Sequence, residues 1–266
     1  YEAIDASKEV GKIYVVANTV AKSGDNSVRG TGSVINHNLT IEFNKFRHGF
    51  TQPVGSTGTE SNGFQILKGN NVTLQNGRMY VDAGSAKKFY ILIQNYANLT
   101  VDGMQLEGAN LDKYSDGDSY VLSNNSGNVN IIGATNITAN TGSKAFAFDV
   151  CKFQNYDAPV VTVNTTGKID GEIEVTPSIV NNITIYGGTF VKDYTNYCAD
   201  GIVCNESLKA VAKPVAKIGE IEYGTLQAAI DAADAGQTVK LIRNVTNGYG
   251  VKINKGVTID FDGKKY

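Results

Sequence analysis

Three aspartates that stand close together are the residues of this chain best suited to hold a metal ion. Asp112, Asp116 and Asp118 lie in the stretch LDKYSDGDSY, and carboxylate oxygens are ligands that Ca²⁺ prefers. Their spacing matches no complete EF-hand loop, and the Glu that closes such a loop is missing. A solvated loop between two strands accounts for the same residues. The sequence therefore leaves a weak Ca²⁺ site and a plain loop as the two readings, and it indicates no other cofactor.

Histidines and charged residues form no recognisable catalytic group in the sequence. His37 is interpreted as a solvated turn residue, and His48, beside Arg47, has no acidic partner close in sequence. Acids and bases that are far apart in sequence could still converge in a fold. Pairs of this kind are Asp102 with Asp157, and Asp149 with Lys168. We predict no catalytic residue, with convergence in three dimensions as the alternative.

The three cysteines are too few for a disulfide scaffold, and together with two His they suit no zinc site. In a secreted protein, Cys198 and Cys204 could close a small loop. The alternative, which we favour, is that they serve as small buried hydrophobic residues. Cys151, in the stretch FDVCKF, is interpreted as a core residue.

Tyrosines give the chain its option for carbohydrate binding. There are 14 Tyr and no Trp, and Tyr80, Tyr90, Tyr114 and Tyr120 crowd one region of the sequence. A phenol ring combines an apolar face with a polar tip, which suits it to stacking on a sugar at a wet surface. Tyr also packs well on the pleated surface of a sheet. A glycan or another cell-surface ligand is therefore a candidate partner, with ordinary packing as the alternative.

The composition limits the class of protein. The formal net charge is -2, and acids and bases are mixed along the chain, so no basic stripe is available for a phosphate backbone. We expect no nucleic-acid partner. No apolar run reaches the length of a membrane span, so we expect no membrane span. With 29 Gly and 4 Pro among 266 residues, the composition indicates many short strands joined by tight turns.

A short phrase recurs along the chain and indicates a repeat architecture. It begins at Asn38, Asn71, Asn98, Asn128 and Asn182, with spacings of 33, 27, 30 and 54 residues. The last spacing is twice 27, and the stretch from Val161 to Val163 fits the missing copy, with Val160 in place of the Asn. Periods of this length are typical of solenoids.

Within each phrase, apolar residues flank one outward polar residue. The apolar residues one and three places after each Asn fall on one side of a strand: Leu39 and Ile41, Val72 and Leu74, Leu99 and Val101, Val129 and Ile131, Ile183 and Ile185. Seven and five places before the Asn, a second strand is expected at Phe64 and Ile66, Ile91 and Ile93, and Val121 and Ser123. An antiparallel sandwich does not require one phrase per long period. We predict an all-β fold, a right-handed parallel β-helix (solenoid) with short amphipathic capping helices.

The end of the chain predicts a capping helix and a second module. Thr225 is a plausible N-cap, Gly236 a stop, and the apolar face of the helix carries Leu226, Ala229, Ile230 and Ala233. The stretch 229–246 aligns with 3–20, and 253–262 aligns with 35–44. We predict a β-helix module at 1–208, its capping helix truncated at the start, a linker at 209–216, and the capping helix and first turns of a second module at 217–266. The parent protein is expected to contain further copies.

These features resemble a known superfamily. The strand ladder and the phrase TLQAAIDAADAGQTVKLI (225–242) resemble the cap and early turns of the pectin lyase-like right-handed β-helix superfamily. The junction at 185–245 is similar to the one between tandem modules of large repetitive surface proteins of gut bacteria. The superfamily's hydrolases use paired Asp and Gly-His-Gly, which this chain lacks. Its members include enzymes, adhesins and phage fibres, so the fold does not decide the activity.

From the residues and the resemblance we expect a non-catalytic extracellular structural or adhesion protein at the cell surface, presenting a β-helix surface for interaction, with glycans among its candidate ligands. One alternative is a virion fibre or decoration protein of a phage. Another is a polysaccharide lyase or hydrolase of the β-helix type.

Overall fold

The chain divides into two compact units. The computed structural model describes residues 2–19, 32–58, 60–115, 117–245 and 250–266. Unit 1 comprises Tyr1–Ala199 and Cys204–Ala210, and unit 2 comprises Asp200–Val203 and Val211–Tyr266.

Unit 1 is built from three parallel sheets, here named A, B and C. Sheet A contains β1 (Lys12–Tyr14), β3 (Leu39–Glu42), β6 (Asn71–Gln75), β9 (Asn98–Asp102), β12 (Asn128–Gly133), β15 (Val161–Asp170) and β17 (Ile183–Thr189). Sheet B contains β4 (Arg47–Phe50), β7 (Arg78–Val81), β10 (Gln105–Glu107), β13 (Asn136–Thr138) and the second half of β15. Sheet C contains β2 (Ser33–Ile35), β5 (Asn62–Ile66), β8 (Ile91–Asn95), β11 (Ser119–Asn124), β14 (Ala145–Val150) and β16 (Glu172–Val175).

The chain visits the sheets in the fixed order C, A, B, and each strand pairs with its counterpart one turn away. In sheet A, Asn71 pairs with Asn98, which pairs with Asn128. This path makes a parallel β-solenoid of about five turns, as the recurring phrase predicts. The missing copy is confirmed, because Val161 pairs with Val129 on one side and with Ile183 on the other.

The apolar positions of the phrase form buried ladders. All ten predicted residues between Leu39 and Ile185 are at most 4% exposed, and Val161 and Val163 at most 1%. The residue between each pair faces solvent to a larger degree. Stacking of turns therefore buries apolar side chains that a single turn would leave exposed to solvent.

The Asn that opens each phrase joins neighbouring turns. The backbone N–H of Asn71 donates to Asn38 Oδ1 at 2.8 Å, and Asn98 Nδ2 donates to Asn71 Oδ1 at 2.9 Å. Asn128 Nδ2 continues the row to Asn98 Oδ1 at 3.0 Å. The row ends where the backbone N–H of Val160 donates to Asn128 Oδ1 at 2.9 Å. A side-chain amide supplies both donor and acceptor, which explains why Asn recurs here.

The predicted second strand exists, but its register differs from the one counted from the Asn. Phe64 pairs with Ile93 rather than Ile91, and Ile93 pairs with Leu122 rather than Ser123. The cause lies in the turns between sheets C and A, which span 67–70 in one turn of the solenoid and 96–97 in the next. Because these connections differ in length, a fixed number of residues before each Asn does not lead to strand positions that pair with each other.

Unit 2 contains α2 (Leu226–Ala232) and the strands β20 (Ala216–Ile218), β21 (Ile221–Tyr223), β22 (Thr238–Leu241) and β23 (Thr258–Asp260). Strand β20 is antiparallel to β21 and β22, whereas β22 and β23 are parallel. The predicted N-cap is confirmed, since Thr225 Oγ1 accepts from the Ala228 N–H at 3.0 Å. The predicted apolar face is at most 1% exposed and packs into the core of the unit.

The parallel pair of unit 2 repeats the first pair of unit 1. Thr238 pairs with Thr258 where Lys12 pairs with Thr40, as the alignment of the two stretches requires. Asn244 Oδ1 accepts from the Lys265 N–H at 2.9 Å, and Asn18 Oδ1 accepts from the Arg47 N–H at 3.1 Å.

The remaining elements are short. They are α1 (Glu2–Ala6), the 3₁₀ helices η1 (Pro177–Asn182) and η2 (Thr195–Tyr197), β18 (Ile202–Cys204) and β19 (Ala210–Ala212). The range 209–216, interpreted as a linker, carries β19 and the first residue of β20. Among the described residues, no helix combines the length and apolarity needed to cross a membrane.

Candidate functional site

A groove of unit 1 lies where long connections from successive turns come together. The chain leaves sheet B and enters sheet C through 51–61, 82–90 and 108–118, whereas 76–77 and 103–104 join sheets A and B. Because each position of a solenoid repeat recurs at the same corner, the long connections lie side by side. They border a groove of about 540 Å³, within the usual size of ligand sites. Its lining includes Pro53, Ser56, Gly58, Glu60, Ser61, Asn62, Lys87, Lys88, Tyr90, Gln94, Tyr96 and Tyr114.

Two stacked tyrosines form the aromatic part of the groove. The rings of Tyr90 and Tyr114 are nearly parallel, at 22°, with centroids 4.2 Å apart. The Tyr90 N–H donates to the Ser61 carbonyl at 3.0 Å, and the Tyr114 hydroxyl lies 3.4 Å from Ser61 Oγ. A tight turn at Gly117, whose φ is 94°, returns its N–H to the Tyr114 carbonyl at 2.8 Å. These contacts position the two residues that carry the stacked rings.

Amide side chains from neighbouring strands form the floor beside the rings. Gln94 Oε1 accepts from Asn62 Nδ2 at 3.1 Å and from Gln65 Nε2 at 2.8 Å. Asn62 is 4% exposed, and Gln94 is partly exposed. This arrangement combines an apolar ring surface with oriented hydrogen-bonding groups, the composition expected of a small-molecule or sugar site.

The charged residues of the groove stand on its rim. Lys87 and Lys88 are exposed, and no described carboxylate lies within ion-pair distance of either. The Glu60 carboxylate accepts from the Gly58 N–H at 3.1 Å. Backbone N–H groups, with Lys87 as a lesser cause, lower the pKa of Glu60. The rim therefore carries two exposed cations and one anion that is hydrogen-bonded to its own loop.

The predicted Ca²⁺ ligands take part in contacts within the protein. Asp112 Oδ2 accepts from the Phe89 N–H at 3.1 Å, and Asp118 lies 3.4 Å from Lys144 Nζ. Asp116 lies outside the described residues. Within the part of the chain that the structure describes, no group of three His, Cys, Asp or Glu is arranged to hold a metal ion. The Ca²⁺ site stays a prediction.

Neither histidine lies in a polar catalytic group. His48 packs edge-on against Phe50, with ring centroids 4.7 Å apart, and its Nδ1 contacts Thr19 Oγ1. His37 Nε2 lies 3.0 Å from Ser7 Oγ, beside the end of α1. His37 is thus a partner of the capping helix and less solvated than expected.

The outer face of sheet B holds charges that pair with each other. Arg78 contacts Glu107 at 2.6 Å, and Lys168 contacts Asp170 at 3.1 Å. The ion-pair partner of Lys168 is therefore Asp170 and not Asp149. Asp157 contacts Lys68 at 3.8 Å. Among the described contacts, none joins Asp149 to Lys168 or Asp102 to Asp157.

One buried acid stands out in sheet C. Asp149 is 6% exposed, and its Oδ1 accepts from the backbone N–H of Asn124. Burial raises its pKa to about 7. On the neighbouring strand Glu174 accepts from the Tyr120 hydroxyl at 2.9 Å, and burial together with this bond raises the pKa of Tyr120. The Asp149 carboxylate serves as the hydrogen-bond acceptor for the backbone N–H of Asn124, which is a structural role.

Of the four tyrosines noted in the sequence, two line the groove. Tyr80 packs on sheet B with Arg78 5.1 Å from its ring, and Tyr120 stacks on Phe146 at 5.1 Å. The sequence did not single out the remaining lining residues, foremost Ser61, Gln94 and Tyr96. Only their position in the repeat could have indicated them, because the polar stretches between the phrases fall at the same corner of the solenoid.

Comparison with known proteins adds no relative. No family model, curated protein or solved structure matches this chain.

Proposed function

We propose that this chain is a non-catalytic extracellular structural or adhesion protein whose solenoid presents a glycan-binding groove. The stacked pair of Tyr90 and Tyr114 within a groove of about 540 Å³ carries the proposal. A sugar has apolar C–H faces and hydroxyl edges. A ring pair beside amide groups offers a partner for both.

The solenoid supplies the mechanism of display. Its turns are joined by backbone ladders and by the Asn row, so the groove is held on a rigid frame. Pre-organised rings lose little conformational entropy on binding. The protein acts at the cell surface and belongs to the pectin lyase-like superfamily in this proposal. Unit 2 is a second, partial copy of the module, which the shared register supports.

A glycan array followed by calorimetry on the best ligand tests the proposal. We expect retention of one class of glycan by the whole chain. Tyr114→Ala should weaken binding about 5- to 30-fold, since loss of an aromatic contact costs roughly 1 to 2 kcal/mol. Tyr186→Ala is the matched control, because Tyr186 is 50% exposed and lies outside the groove lining.

The same samples separate binding from catalysis. Polygalacturonate, alginate and glycosaminoglycans are incubated with the chain, and unsaturated products and new reducing ends are followed. Product formation that stops in Asp149→Asn or Glu174→Gln would replace the proposal with an enzymatic function. Equal weakening by Tyr114→Ala and Tyr186→Ala, or no glycan retained at all, would remove the groove from it.

A further inference from the structure

Cys198 and Cys204 lie at the last turn of unit 1. The short helix η2 leads into Cys198, which forms a parallel bridge with Ile185 of β17. The Ala199 N–H donates to the Ile185 carbonyl at 2.9 Å. Cys198 therefore continues the sheet A ladder by one bridge.

The two thiols meet because η2 holds both ends of the segment. The Cys204 N–H donates to Thr195 Oγ1 at 3.0 Å, and Cys198 Sγ donates to the Tyr194 carbonyl at 3.7 Å. The two side chains are themselves in hydrogen-bond contact. Tyr194 is 4% exposed, and its hydroxyl accepts from the Ile173 N–H at 2.8 Å, so the anchor of this segment is part of the core.

We propose that Cys198 and Cys204, both in unit 1, are a reversible thiol–disulfide pair that links the two ends of the 198–204 segment. The oxidant is a small disulfide of the glutathione type. One thiolate attacks it and releases one small thiol, and the second cysteine then attacks the mixed disulfide and releases the other. Two electrons pass from the cysteines to the small disulfide, and their two protons end on the released thiols. Bridging needs little movement, because the two side chains are already in hydrogen-bond contact.

The environment of the pair affects how fast it reacts. Burial, with Cys204 as a second cause, raises the pKa of Cys198 to about 12. Because only thiolates attack disulfides, exchange at Cys198 should become faster as the pH rises.

Cys151 provides an internal reference. It lies beyond β14, where it bridges Asn125, and burial raises its pKa. No other cysteine is among the causes of that rise. Its neighbourhood offers no partner thiol within the described contacts, so it should stay reduced or carry only a mixed disulfide.

The test incubates the whole chain with oxidised and reduced glutathione at set ratios, quenches with acid, and counts thiols by alkylation and intact mass. The wild type should go from three free thiols to one and lose the mass of two hydrogens. Peptide mapping should place the link between Cys198 and Cys204. Cys151→Ser should behave alike, with two thiols going to none.

Single variants of the pair test the second step. Cys198→Ser and Cys204→Ser should each stop at a glutathione adduct on the remaining cysteine of the pair, because no second thiol is there to displace the glutathione. Three thiols surviving full oxidation, or glutathione on each cysteine without a link, would overturn the proposal. A wild-type melting temperature that is higher when oxidised, with no such difference in Cys204→Ser, is the expected structural readout.

Discussion

The first turn of unit 1 and the turn of unit 2 share their backbone bonds and differ in what covers them. Phe43 is 2% exposed, and its counterpart Phe261 is 45% exposed. Ile35 is fully buried, and its counterpart Ile253 is 52% exposed. The two turns thus have matching sequences and local geometry and unequal burial.

The difference comes from the neighbouring turn. Strand β3 pairs with β6, and Gly77, which follows β6, fits so tightly that a Cβ there would lie 2.1 Å from Phe43 Cβ. Within the described part of unit 2, no strand pairs with the far side of β23. Local sequence is therefore enough to form a turn, whereas its stability depends on the next one. Four experiments with single substitutions test this comparison.

The largest effect is expected at the capping helix of unit 2. Ile230 is fully buried, so Ile230→Asp places an unpaired charge in a small core and should cost about 4 kcal/mol or more. Hydrogen exchange should show loss of protection across 226–241. Ala228→Asp, on the exposed side of the same helix, is the control. Unchanged protection in Ile230→Asp would mean that the helix does not close this core.

A matched pair of truncations measures how much the neighbouring turn contributes to the free energy of unfolding. Phe43→Ala should destabilise unit 1 by about 3 to 5 kcal/mol, because it leaves a cavity against Gly77. Phe261→Ala should cost less than about 1 kcal/mol, since that ring is half exposed. Urea denaturation followed by circular dichroism gives both values. Similar losses would show that the two turns are equally covered in solution.

The pH dependence of stability should also differ between the two units. Asp149 has a pKa of about 7 in the fold, above its usual 3.8. Its stabilising protonated form is complete below pH 3.8 and is lost as the pH rises through 7. Unit 1 should thus lose about 2 to 3 kcal/mol between about pH 5 and pH 8. Asp149→Asn should remove this slope in urea denaturation at the two pH values. A slope kept by the variant would assign it to another group.

The described residues of unit 2 include no buried acid, so its stability serves as the internal control for that experiment. Hydrogen exchange resolves the two units. A pH response of the same size in both would contradict the role of Asp149.

The smallest effect is expected at the end of the capping helix. Lys255 Nζ donates to the Asp231 and Ala233 carbonyls at 2.8 and 2.6 Å. Lys255→Ala should cost about 0.5 to 1 kcal/mol, the usual value of a cation at a helix C-terminus. Lys252→Ala is the control, and thermal unfolding is the measurement. A loss at Lys252 equal to that at Lys255 would indicate a general charge effect.

The repeat made most of the fold predictable. A period of about 30 residues with an apolar alternation identified the sheet A strands and the missing copy at Val161. Apolar residues at helical spacing identified the buried helix face at Ile230. The sheet C register was not predictable, because it depends on turn lengths that vary from one turn to the next. Neither was the antiparallel pair of β20 and β21, which lies outside the repeat.

The groove was predictable only in part. Tyr90 and Tyr114 attract attention by residue type, but their stacking depends on Ser61, which is distant in sequence from Tyr114. Lys87, Gln94 and Asn62 are ordinary polar residues until the solenoid brings their loops together. Contacts across turns are set by the pitch of the stack, which no local pattern encodes.

Because the groove takes its walls from successive turns, its shape depends on tension along the solenoid. Asn62 and Gln94 belong to different turns, and the hydrogen bond between them runs from one turn to the next. A pull along the stack loads that bond and separates the turn that carries Tyr90 from the one that carries Tyr114. A ligand that touches both rings then resists the stretch, and its dissociation becomes sensitive to force. The strength of attachment through such a groove would therefore depend on the force applied along the solenoid.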